Sequence, residues 1–191
     1  MQIKVEDTTL KEVKLVIPES FRDQRGFFSE VYRADQFRAA GLPERFMQLN
    51  HSGSVKGVVR GLHFQWDPPM GKLMRVTRGE AFLVAVDLRR HSPTVGKWFG
   101  VVASEENSYQ LWAPACFARG FCVLSDRAEI EYLCTGTYNA SAESGILWND
   151  PQMGIDWPVK DPIISDKDRK AQTLRQWLEG GLAHVFDSFD G

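Results

Sequence analysis

Ala128-Glu129-Ile130-Glu131-Tyr132-Leu133-Cys134 alternates with a period of two. Successive side chains of a β-strand point to opposite faces, so Ala128, Ile130, Tyr132 and Cys134 share one side while Glu129 and Glu131 take the other. This reads as a half-buried strand with an apolar inner face, and the phenol of Tyr132 is the polar exception on it. Similar short apolar stretches lie upstream, over residues 72–77, 81–88, 98–102, 110–113 and 121–124. Gly79-Glu80 suggests a tight hairpin turn between two of them. Val13, Leu15 and Ile17 suggest an earlier strand ended by Pro18, and residues 27–32 another.

Helical signals are few. Residues 34–40 read as one brief helix closed by Gly41 and Pro43. Ser165-Asp166-Lys167-Asp168 opens a second over about 166–179, through Leu174, Trp177 and Leu178, closed by Gly180-Gly181. Many strands followed by one helix point to an all-β double-sheet jelly roll with a C-terminal helix packed outside. In the tail, Val185, Phe186 and Phe189 are expected to pack on the body.

The 191 residues, 43% hydrophobic and 25% charged, fit a single globular domain and exclude a disordered or fibrous chain. With 23 basic against 25 acidic residues, no cationic excess exists for a nucleic-acid backbone. No stretch has the length or apolarity of a membrane span, and MQIKVEDTTL lacks the apolar core of a secretory signal. Three cysteines, Cys116, Cys122 and Cys134, give neither a disulfide framework nor CxxC zinc spacing, so the cytoplasm is the expected address.

The densest chemistry is Arg60-Gly61-Leu62-His63-Phe64-Gln65. An imidazole near cations and short of water is a candidate general base, although a core histidine satisfied by a carbonyl looks the same. Lys72, opening an apolar strand, could steady an oxyanion or simply guard a sheet edge. Arg25, Arg60 and Arg119 sit in Gly- and Phe-rich runs, where forked donors suit a pyrophosphate. The alternative is three structural ion pairs with acids such as Asp23, Glu30 and Asp126. Ser165 and Asp168 have capping-box spacing, which explains Asp168 without catalysis. Tyr132 and Tyr138 are aromatic candidates for an acid, although such residues more often sit in a core or on a rim.

Jelly rolls often carry a metal on an HxH pair, a nearby Glu and a later His in a PxGxxH stretch. This chain has no HxH around His63, and Arg119 occupies the last position of Pro114-Ala115-Cys116-Phe117-Ala118-Arg119. Arginine stays charged and is no ligand, so no metal and no cofactor are expected.

The runs FRDQRGFFSEVY (21–32), QLNHSGSVKGVVRGLHFQ (48–65), GKLMRVTRGEAFLVAVDLRRHSPTVGKW (71–98), QLWAPACFARGFCVLSD (110–126), EIEYLCTGTY (129–138), GILWNDPQMGIDWP (145–158) and ISDKD (164–168) occur in this order. Over about residues 10–170 the chain resembles the dTDP-4-dehydrorhamnose 3,5-epimerase family. The resemblance implies a cupin-type jelly roll, a homodimer exchanging N-terminal strands, and a nucleoside-diphosphate 4-keto-6-deoxysugar as substrate. It implies that His63 is the base, Asp168 its orienting carboxylate, Lys72 the cation on the enolate oxygen and Tyr132 the acid on the opposite ring face. Arg25 and Arg60 resemble the diphosphate clamp. Gln48 and Asn50 resemble the residues holding sugar and nucleotide, and Tyr138 and Phe27 a pair stacking near the base. Glu30 and Arg119 join this substrate-binding group.

The chain departs from the family where FAHGF is usual. It reads Phe117-Ala118-Arg119-Gly120-Phe121, and Cys116 replaces a glycine. The three readings left open are inversion at C3 and C5, inversion at one centre of a dTDP- or CDP-linked sugar, and sugar-nucleotide binding without turnover.

Overall fold

The computed structural model describes residues 2–187. Six strands form one sheet, in spatial order β1 (Ile3–Asp7), β2 (Lys14–Pro18), β10 (Gln110–Ala113), β7 (Lys72–Arg78), β12 (Arg127–Cys134) and β5 (Gln48–Val55). Five form the other, in order β13 (Glu143–Gly145), β6 (Val59–Gln65), β11 (Phe117–Val123), β8 (Glu80–Asp87) and β9 (Trp98–Ser104). A third, two-stranded sheet is the hairpin β3 (Ser20–Asp23) and β4 (Gly26–Ser29).

The two large sheets face each other across a core of Met74, Val76, Leu83, Ala85, Leu111, Phe117, Phe121, Ala128 and Ile130. The period-two reading of β12 holds. Ala128, Ile130 and Cys134 are fully buried, while Glu131 turns outward to Arg75 at 3.3 Å and Glu129 to Arg127 at 3.1 Å. Outside the five-stranded sheet, Leu62, Phe64, Val84 and Val86 pack under Leu174, Trp177 and Phe186. The Phe64 and Trp177 rings meet edge-on at 4.6 Å. Outside the six-stranded sheet, α1 (Ala34–Ala39) lays Phe37 on Val16, Leu73 and Trp112. The tail expectation holds for Phe186, which is buried, and for Val185, which packs beside it; Phe189 lies outside the described residues.

Several boundaries differ from the sequence reading. Gly79 makes a tight turn at φ +73°, but β7 and β8 on either side belong to different sheets, so the turn is a corner and not a hairpin. A Cβ there would lie 2.2 Å from the Arg127 carbonyl, so the corner needs glycine. The helix expected over 166–179 is two: α2 (Asp166–Arg169) and α3 (Leu174–Glu179). Between them Gln172 bridges to Ile146 as extended chain, and Thr173 starts α3 afresh with a capping box closed by Gln176. Residues 27–32 form a strand only as far as Ser29. Tyr32 leaves it to pack on Phe37 and Phe46. Strand β11 starts at Phe117, earlier than residue 121, because Ala118, Arg119 and Gly120 are all buried strand positions despite looking like a break.

Candidate active site

Five strands present side chains to one end of the space between the sheets. On β7, Met74 and Val76 point inward, so Lys72 does too. On β12 the inward set includes Tyr132 and Cys134, and Cys134 pairs with Lys72 in register. The Lys72 Nζ lies 5.2 Å from the Tyr132 ring centre. On β11, Phe117 and Phe121 face the core, which places Arg119 on the same face; its partner across the strand pair is His63 of β6. Strand β5 turns Gln48, Asn50, Ser52 and Ser54 inward and Leu49, His51 and Val55 outward.

His63 Nε2 lies 2.6 Å from Asp168 Oδ1. The backbone N–H of Gly61 donates to the other carboxylate oxygen at 3.3 Å. The capping-box reading of Asp168 is half fulfilled. Ser165 Oγ accepts from the Asp168 backbone N–H at 3.1 Å, as an N-cap does, but the carboxylate turns away from the helix start toward His63. Burial disfavours the charged carboxylate. The hydrogen bond from His63, the His63 charge and the Gly61 and Ser165 contacts outweigh it, holding the Asp168 carboxyl below the usual range.

Lys72 is pushed down to about 8, first by burial and then by the charge of Arg119, against the opposing pull of Cys134 and Glu143. The Tyr132 phenol is pushed up by burial and by Cys134, with Arg60 acting in the other direction. Arg119 is 3% exposed. Its Nη2 donates to the Pro114 carbonyl at 2.8 Å and also to the Met70 carbonyl.

The three arginines separate. Arg25 makes the structural ion pair, 2.5 Å from Asp23, and is exposed at the tip of the β3–β4 hairpin. Arg60 Nε donates to Ser54 Oγ at 3.0 Å, not to a carboxylate. Phe27 sits on the hairpin under Arg22, and Glu30 just beyond it pairs with Arg33 at 3.4 Å. Arg25, Phe27 and Glu30 therefore do not join the His63 cluster within the chain; their contacts stay on and beside the hairpin.

Gln48 Oε1 accepts from the Tyr138 N–H at 2.8 Å and Gln48 Nε2 donates to Asn50 at 2.9 Å, so Gln48, Asn50 and Tyr138 form one rim. Two residues not singled out from the sequence complete it. Glu143 accepts from the Tyr138 hydroxyl at 2.9 Å and pairs with Lys167 at 2.5 Å. Its carboxyl is held low by Lys167 and Tyr138, with His63 adding to the effect, against the opposing effect of burial. Lys167 stands in ISDKD beside Asp168 and was visible there; the stretch around Glu143 carries no comparable pattern.

An imidazole–carboxylate pair, a half-buried ammonium and a phenol on inward-facing strand positions of a double-sheet jelly roll fit an isomerase-type site. Such a site can take hydrogen from carbon beside a carbonyl and return it elsewhere. A family model described as dTDP-4-dehydrorhamnose 3,5-epimerase matches residues 7–176, and the chain belongs to that family. A relative of that name from Neisseria gonorrhoeae is 51% identical over 177 residues, covering 92% of this chain. The chain spans only 54% of that relative's length. The relative of that name from Methanothermobacter thermautotrophicus is 49% identical, over 88% of this chain and 93% of its own. The crystal structure of dTDP-6-deoxy-D-glucose-3,5-epimerase from Legionella pneumophila, in complex with dTDP-4-keto-L-rhamnose, superposes with a TM-score of 0.92 at 41% identity, covering 100% of both chains.

Proposed function

We propose that the chain inverts C3 and C5 of dTDP-4-dehydro-6-deoxy-D-glucose, giving dTDP-4-dehydro-L-rhamnose. The observation that carries this is the 2.6 Å His63–Asp168 pair together with Lys72 5.2 Å from the Tyr132 ring, the two groups joined by Glu143, which is coupled by charge to His63, Lys72 and Tyr132 alike. Asp168 keeps a proton on His63 Nε2, which leaves Nδ1 with its lone pair as the base. Nδ1 takes the hydrogen from C5. The C–H electrons pass into the C4 carbonyl, and the Lys72 ammonium stabilises the resulting enolate oxygen. Tyr132 then delivers its hydroxyl proton to C5 from the opposite face. Solvent reprotonates Tyr132 and removes the proton from His63, and C3 follows the same course.

Arg60, exposed at the lumen mouth near Tyr132, is the diphosphate contact within the chain. Gln48 and Asn50 hold the sugar and nucleotide, Tyr138 stacks on the base, and Arg119 lines the reacting end. Arg25, Phe27 and Glu30 reach the site of a second copy in a homodimer. Supporting this is a hairpin that stands apart from both large sheets, with Phe21 51%, Phe27 60% and Phe28 63% exposed. Sedimentation at micromolar concentration tests the dimer. No helix among the described residues is long and apolar enough to cross a membrane, and the reading places the enzyme in the cytoplasm without nucleic-acid or membrane partners.

Incubation with the 4-keto sugar nucleotide in deuterium oxide, followed by NMR, tests the reaction. Exchange at both C3 and C5 is expected. Arg119 on the His63-facing strand position favours a second reading, a mono-epimerase, which would exchange one centre. Exchange at neither would leave a sugar-nucleotide-binding protein without turnover.

A further inference from the structure

Arg119 is buried without a carboxylate. Burial pulls its guanidinium down to about 10, against the opposing effect of the Cys134 and Cys116 thiols, so it stays charged at neutral pH. Its Nε and Nη1 are buried with no hydrogen-bond partner among the described residues. An unpaired buried charge is costly to a fold and is kept where the charge has a use.

The position of its bonds shows what the guanidinium holds. Met70, whose carbonyl accepts from Nη2, lies just before Gly71-Lys72. Pro114, the other acceptor, directly follows Ala113, and Ala113 pairs with Lys72 in the β10–β7 register. One guanidinium nitrogen thus ties the chain entering Lys72 to the chain leaving its strand neighbour. Gly71 packs against Trp112 at this junction so closely that a Cβ there would lie 2.4 Å from the indole.

We propose that Arg119 is a positioning residue for Lys72. It braces the backbone on both sides of that lysine and lays a second, uncompensated positive charge beside the ammonium, preparing this end of the lumen for an oxyanion. The proposal rests on the reading of Lys72 as the enolate-stabilising cation. The other groups facing Lys72 are Tyr132 and Cys134 of β12 and Glu143 of β13, while His63 faces Arg119 from β6. The Glu143 charge favours the ammonium; burial and Arg119 oppose it.

The ammonium is the working form, so kcat/KM should fall as pH rises through about 8. Removing the Arg119 charge should move that alkaline limb upward. The test compares wild type with Arg119→Gln, with Arg119→Met as a second neutral variant if the first folds poorly. Two readouts are taken: the pH profile of kcat/KM, and the titration of Lys72 by NMR in protein labelled at the lysine Cε, assigned by signal loss in Lys72→Arg. The expected result is a raised Lys72 titration in the neutral variants. A purely structural brace would lower the rate at every pH and leave the titration unmoved. An unmoved titration in the neutral variants would overturn the proposal. The NMR titration needs no turnover, so an inactive wild type would sink the epimerase reading without deciding this one.

Discussion

Asp168 and His63 are separated by 105 residues in sequence, yet the carboxylate oxygen lies 2.6 Å from the imidazole nitrogen. The Ser165 cap on a four-residue helix points Asp168 inward, and the Gly61 N–H steadies its second oxygen. A carboxylate this buried selects the tautomer and orientation of the ring it holds.

Asp168→Asn should therefore lower substrate deuterium exchange by about 100-fold or more while leaving the fold at neutral pH intact. The variant should also change the acid response. Because the folded carboxyl titrates below the ordinary value of 3.8, its stabilising contribution is complete above that pH and is lost as pH falls toward the lowered folded value. Acid unfolding followed by circular dichroism should show a shallower dependence in the variant, and an identical curve would remove Asp168 from the acid-sensitive set.

Tyr132→Phe should separate proton loss from inversion. The base and the cation remain, so deuterium uptake should persist, while the yield of inverted product drops at least about tenfold. Product stereochemistry read from proton couplings checks this, and an unchanged epimer yield would remove Tyr132 from the mechanism.

Lys72→Met should lower activity and raise stability together. On the proposed mechanism the ammonium is the oxyanion partner, and losing such a partner costs about 100-fold or more in rate. Its burial is unfavourable to the resting fold, since the lysine titrates near 8 where an exposed one titrates at 10.5. Replacing it with an unbranched apolar side chain should stabilise the protein by about 1–3 kcal/mol at neutral pH, measured by denaturant unfolding. A destabilised variant would mean the ammonium is paired more favourably than its surroundings indicate.

Much of this arrangement was legible in the residues. The alternation of β12 announced an inner face with one phenol on it, and Trp177 and Leu174 announced a helix seated outside a sheet. Strands β5 and β6 carried no such signal. Gln48, Asn50, Ser52 and Ser54 turn polar groups toward the hollow, so the apolar alternation that betrays a core strand is absent. In β6, Arg60, Gly61 and His63 interrupt the pattern for the same reason: the strand faces a site. The single C-terminal helix became two because Gln172 joins Ile146, a pairing between distant segments that local periodicity cannot encode. The position before β11 is explained by backbone shape. Cys116 adopts φ +72°, a conformation glycine takes without strain.

Gly61→Ala should be severe. The residue lies at φ +118°, and an added Cβ would stand 2.7 Å from the Arg119 carbonyl oxygen and 2.7 Å from the Gly120 Cα. Both are backbone atoms of the paired strand, so β6 must move away, taking His63 with it. A loss of about 3 kcal/mol or more, and a thermal midpoint lower by roughly 6–12 °C, should appear in calorimetry. A midpoint within a degree of wild type would show that β6 and β11 are not packed this closely.

The central claim is that the His63 imidazole removes the carbon-bound hydrogens. Incubating wild type and His63→Ala with dTDP-4-dehydro-6-deoxy-D-glucose in deuterium oxide, and following C3 and C5 by NMR, tests it directly. Wild type should exchange both positions, and the variant should exchange neither above the uncatalysed rate. Exchange in His63→Ala at the wild-type rate would contradict the account.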